Sequence, residues 1–253
     1  MRKIMFFGSI ILLIFFSVAL ANTYTEKEQD KIKHQYTNEV LFNKDQDEKS
    51  TIFYPQIIFA PYGNKNIAQI NDLLKITALE SNPMHETYLR EKHQTTLLVA
   101  SEVAYLTEQI ISVRYSGVIN IKKMFHPIWM GYGVTINREN NQLIGLTEWL
   151  VISPEFISVF KEKSQIMSRH TLDLSEEEKK KFFYVWDEKN IKESIEWMIK
   201  YENLSRYYVK SDGIVLFFPT IQAKGNYIEV FINQDDLKPF LKQNDLFDVD
   251  KIW

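Results

Sequence analysis

The sequence predicts an α+β domain whose sheet is mainly antiparallel and built from hairpins, with helices packed on it. β-rich runs come in pairs around short polar turns, which is how antiparallel neighbours are joined. Isolated amphipathic segments separate those pairs and do not alternate one for one with single strands, so a repeating parallel design is disfavoured. The chain has 253 residues, 45% apolar and 14% aromatic, enough for a sizeable core.

Taken in order, residues 1–21 read as a cleavable leader: Arg2 and Lys3, an apolar run over 4–18, then Ala19-Leu20-Ala21. Gly8 and Ser9 interrupt an apolar stretch already short of the roughly 20 residues a spanning helix needs, so cleavage near Ala21 is favoured over a retained anchor. Residues 22–50 are a polar lead-in, either mobile or a first strand, with 43–50 as an exposed loop. The run 51–57 is strand-like, and Pro55 points to an edge because it cannot donate to a ladder. Ile67, Ile70, Leu73 and Leu74 recur at helical spacing and predict a helix over 66–79. These elements make a strand-helix part of the module, 51–92, ahead of a hairpin-rich part, 93–243.

In the second part, 97–105 and 110–118 form the first hairpin, with Val99, Val103, Tyr105, Ile111, Val113 and Tyr115 alternating as a half-buried sheet requires. An irregular stretch around Pro127 follows, and 133–137 and 143–146 form a second hairpin. Ser153-Pro154 opens a helix to about residue 165, with a hydroxyl cap followed by proline in the first turn. The charged run 175–181 reads as a solvated helix start. Asn190 and Glu193 have capping-box spacing ahead of the stripe Ile191, Ile195, Met198 and Ile199. A third hairpin turns at Ser211-Asp212-Gly213, where Gly213 would supply a positive backbone angle. A strand over 227–232, a helix over 235–243 and a tail over 244–253 complete the chain.

Charge and cysteine count restrict function. Loss of residues 1–21 removes Arg2 and Lys3 and no acid, moving the formal charge from −3 to −5. That argues against nucleic acid and anionic membranes as partners and favours a cationic one. With no cysteine, thiolate nucleophiles and cysteine-based zinc sites are excluded. His34, His85, His93, His126 and His170 form no HExxH pattern, so neither a metal nor any other cofactor is expected. No G-x-S-x-G elbow occurs. The paired acids Asp187-Glu188 and Asp235-Asp236 have acid/base chemistry available but sit near helix starts, where carboxylates complement the dipole. No catalytic residue is assigned. The candidate ligand-binding residues are His126, Trp129 and Tyr132, in a segment read as an irregular loop that either offers its rings to a sugar or a protein partner or plugs the sheet end.

Several segments in order resemble the extracytoplasmic domain of RsiV-type anti-sigma factors and of PdaC-type peptidoglycan deacetylases. They are Ile52-Phe53-Tyr54-Pro55-Gln56-Ile57, Ile70-Asn71, the run 97–115 ending in Tyr115-Ser116-Gly117, and Ser211-Asp212-Gly213 through Pro219, with Ala223 and Gly225 after it. Residues 118–125 lengthen the connection that leads to His126-Pro127. The resemblance implies a module outside the membrane that handles envelope glycans or proteins acting on them; one branch of relatives binds lysozyme. It extends to that outer domain alone, because three residues precede the apolar run and no deacetylase motif occurs. The expectation is a secreted or periplasmic, non-catalytic binding module for peptidoglycan-related glycan or a basic protein such as lysozyme. A carboxylate-dependent glycan hydrolase is the alternative.

Overall fold

The computed structural model describes residues 32–43, 48–59, 67–80, 95–121, 125–167, 177, 188–202, 206–219 and 227–242. The leader, most of the charged run 175–181, His85, His93, His170 and the tail 244–253 lie outside them. The fold is α+β, with two sheets that are antiparallel apart from one contact. The first holds β1 (Lys33–Asn43), β2 (Glu48–Phe59), β3 (Thr95–Leu106), β4 (Ile110–Ile121), β5 (Ile128–Asn137) and β6 (Gln142–Leu143) in sequence order. The second is ordered β7 (Gln165–Met167), β10 (Tyr227–Asn233), β9 (Gly213–Pro219), β8 (Tyr207–Lys210). The divide between the two sheets falls after β6, because β3–β5 complete the sheet that β1 and β2 begin.

Residues 33–43 of the lead-in are a strand paired with β2 over its whole length. The helix α1 (Ile67–Glu80) carries the chain from β2 to β3, and β2 and β3 run parallel, as a helical crossover permits. β2 therefore has neighbours on both sides, but its pairs with β3 are Thr51–Leu98 and Ile52–Val99. Pro55 lies three residues past them, on a side without a ladder. There Asn71 of α1 takes over: Ile57 N donates to its Oδ1 at 2.8 Å and its Nδ2 donates to Ile57 O at 3.0 Å. The side-chain amide thus pairs with β2 as a neighbouring peptide would.

One core lies between α1 and the first sheet, joining Ile70, Leu74 and Ala78 to Ile52, Val99, Val113 and Val134. A second lies between the second sheet and its helices, α2 (Leu146–Trp149), α3 (Pro154–Lys163), α4 (Glu188–Glu202) and α5 (Gln234–Leu237). The Ser153 hydroxyl accepts from Phe156 N and caps α3 as the sequence predicts. α4 begins at Glu188, so Asn190 is already inside the helix and is not its cap. Ile191 and Ile195 of the expected stripe are fully buried, and Ile199 packs against them; the side chain of Met198 lies outside the described set. Gly213 starts β9 and is needed for closeness, since a Cβ there would overlap Ile232 O. The final helix is shorter than expected: α5 tightens into a 3-10 turn, Lys238–Phe240.

Candidate functional site

The second sheet covers one half of the face that the first sheet turns away from α1. β4 records this: all six residues 110–115 are buried, whereas 116–121 alternate between buried and exposed or half-exposed. In the covered half, Arg114 of β4 meets Glu229 of β10. Arg114 Nε lies 3.0 Å from both Glu229 carboxylate oxygens, and Tyr208 OH donates to Oε2 at 2.7 Å. Arg114 and Glu229 are 5% and 2% exposed, so no substrate reaches this pair. Burial works against the guanidinium charge, but the hydrogen bonds and charge of Glu229 more than offset it and hold Arg114 protonated. Val209 N donates to Ser112 Oγ at 2.8 Å, a further polar tie between the sheets.

Glycines permit this close approach. A Cβ at Gly131 would overlap the Tyr227 ring and lie 2.7 Å from Phe217, and one at Gly133 would overlap the Tyr207 carbonyl. The glycine-rich segment is therefore not an irregular loop. Residues Ile128–Asn137 form β5, a ten-residue strand paired with β4.

The three candidate residues consequently do not share one surface. Positions 129 and 132 differ in parity, and side chains of a strand alternate between faces. Tyr132 points toward α1, is 2% exposed, stacks on Tyr115 at 5.0 Å and donates to Ala78 O at 2.8 Å. That carbonyl belongs to the last turn of α1, so Tyr132 caps a helix and does not face a ligand. Trp129 points the other way and is half-buried, packed against the Tyr208, Val215, Phe217 and Tyr227 cluster. His126 is exposed just ahead of β5.

What Trp129 joins is a row the sequence reading missed. The register places Thr51 of β2, Leu98 of β3, Val118 of β4 and Trp129 of β5 side by side on the uncovered half. Thr51, Val118 and Trp129 are half-exposed and Leu98 is 37% exposed. Beside the row stand Thr96 and Asn120, both exposed and opposite each other, and Ala100 and Ser116, also opposite each other. The lining is an aliphatic and indole strip framed by neutral hydroxyls and an amide. The available signal was the doublets Leu97-Leu98, Val118-Ile119 and Ile128-Trp129, which place apolar residues on both faces of strands expected to have a polar one.

No group of three or more His, Asp or Glu among the described residues could hold a metal ion. His34 stands edge-on to Tyr36 on β1, with its pKa lowered by burial. Asp235 is committed to the first turn of α5 and lies 2.7 Å from Lys238. Asp187 and the Glu188 side chain lie outside the described set. No described helix is long and apolar enough to cross a membrane.

No protein-family model matches the sequence, and no curated protein matches it. Solved structures do. A DUF3298 family protein from Pseudomonas aeruginosa PAO1 superposes with a TM-score of 0.52 at 10% identity, covering 86% of this chain and 97% of that one. The fold is of the DUF3298 type. A second member of that family, from Bacteroides fragilis NCTC 9343, gives a TM-score of 0.47 at 12% identity, over 85% of this chain and 94% of its own. At such identities the likeness is one of architecture.

Proposed function

We propose that this DUF3298-type domain is an exported, non-catalytic binding module of the bacterial envelope, and that its ligand is peptidoglycan-related glycan. The observation that carries the reading is the uncovered half-face, where a half-exposed indole and aliphatic side chains are framed by Thr96, Asn120 and Ser116. An aromatic ring offers a flat surface to the C–H face of a sugar, and neutral hydroxyls and amides match its hydroxyls. A basic protein such as lysozyme would call for carboxylates here. The described side chains of the row and of the residues beside it carry none.

Export rests on Arg2, Lys3, the apolar run 4–18 and Ala19-Leu20-Ala21. Kinship with the outer domains of RsiV- and PdaC-type proteins rests on the ordered segments from Ile52 to Pro219. The test is retention of residues 22–253 on insoluble peptidoglycan, with immobilised lysozyme in parallel. Retention on peptidoglycan alone is the expected result. Retention on lysozyme alone shifts the ligand to a basic protein, and no retention on either at moderate salt removes the binding reading.

A further inference from the structure

We infer that the row Thr51, Leu98, Val118, Trp129 is a platform for a linear, uncharged oligosaccharide laid across the strands, with one end anchored on Trp129. The inference rests on the glycan reading above and adds a site, a direction and a length. Its basis is register: one residue from each of four consecutive strands falls on one line, on one face, in the uncovered half. Strands stand about 4.8 Å apart, so the line is roughly 14 Å long, more than one sugar ring can span. On β3 and β4 its flanks are neutral, with Thr96 and Asn120 on one side and Ala100 and Ser116 on the other. A chain of rings presents repeated apolar C–H faces with hydroxyls at both edges, which is the same alternation.

Trp129 marks the end of the line for two reasons. Among the described residues β5 carries a further strand only at Ile136 and Asn137, so at Trp129 it is the last described strand of its sheet. The side toward the covered half is walled by Tyr227, whose ring lies over Gly131. Trp129 is thus fixed against the Tyr227 cluster on one side and half-open on the other, which is how a rigid aromatic anchor is presented. Thr51, on β2, is small and hydroxylated and suits a ring held by hydrogen bonds; its register partner on β1 is Val40.

The experiment is titration of the mature chain with β-1,4-linked N-acetylglucosamine oligomers of increasing length, by calorimetry. We expect the dissociation constant to fall by at least about tenfold between the dimer and the tetramer and then to level off. Trp129→Ala should weaken tetramer binding by about tenfold or more, the loss typical of an aromatic anchor, while Trp129→Phe retains most of it. Trp197→Ala, at the exposed tryptophan of α4, should bind as the parent does. Circular dichroism of Trp129→Ala checks the fold, and Leu98→Asp offers a second break in mid-row. Affinity independent of oligomer length, or undiminished in both Trp129→Ala and Leu98→Asp, overturns the platform. If the mature chain and Trp129→Ala are held equally on whole peptidoglycan, the platform is refuted while the glycan reading stands. No retention of the mature chain defeats both.

Discussion

The two halves of β4 are built from similar residues and live in different surroundings. Residues 110–115 are walled by α1 on one face and by the second sheet on the other, and even the polar Ser112 and Arg114 are buried there. Residues 116–121 keep the α1-side wall and lose the second one, so Ser116, Val118 and Asn120 meet solvent. The difference teaches that the second sheet, and not the strand's own composition, decides which residues serve stability and which are free for recognition. In the covered half of β4, Arg114 and Ser112 are each matched by a partner from the other layer. In the uncovered half polar and apolar groups stand together, a combination that burial would penalise and binding can use.

The sharpest way to break this comparison is to remove one charge from the covered half. Glu229→Leu strands the Arg114 guanidinium and is expected to cost about 3–5 kcal/mol. Urea unfolding measures it, and the double change Arg114→Met with Glu229→Leu should recover much of the loss. An equal or larger cost in the double variant would show that the pair stabilises in its own right. Next in size is Gly133→Ala, where the added methyl overlaps the Tyr207 carbonyl; about 1–3 kcal/mol is expected from the same unfolding curves.

Smaller again is Tyr132→Phe, which leaves Ala78 O without its donor and should cost about 1 kcal/mol. It also carries a pH signature. Burial raises the hydroxyl pKa of Tyr132 above that of an unfolded tyrosine, near 10. The stabilisation is therefore complete below about pH 10 and is lost as pH rises toward the folded value. Tyr132→Phe should make the alkaline decline in stability shallower. The smallest effect belongs to the uncovered half: Val118→Thr should change stability by no more than about 0.5 kcal/mol. A loss comparable to that at Gly133 would mean the half-face is structurally covered after all.

Much of the architecture was legible where the signal is local. The hairpin β3–β4, the helix α1 and the Ser153 cap follow from periodicity and capping chemistry confined to a few neighbouring residues. What escaped depends on contacts distant in sequence. Gly131 and Gly133 look like loop residues until Tyr227 and Tyr207 are seen against them. Arg114, between Val113 and Tyr115, reads as the solvent side of an alternating strand; its partner lies 115 residues away, and nothing local announces it. Of the three candidate site residues, the placement of Tyr132 escapes for the same cause: the carbonyl it caps belongs to a helix 54 residues earlier.

That separation of Arg114 from Glu229 also bears on the order of assembly. Most of each sheet pairs strands adjacent or nearly adjacent in sequence, so each can form from nearby chain, whereas the ion pair needs both sheets finished. Until they meet, β4 and β10 each hold a charge that resists being buried against anything uncharged. Glu229 therefore acts as a key fitted to one lock: a half-assembled chain keeps these two faces wet, and docking them in any other register leaves both charges stranded.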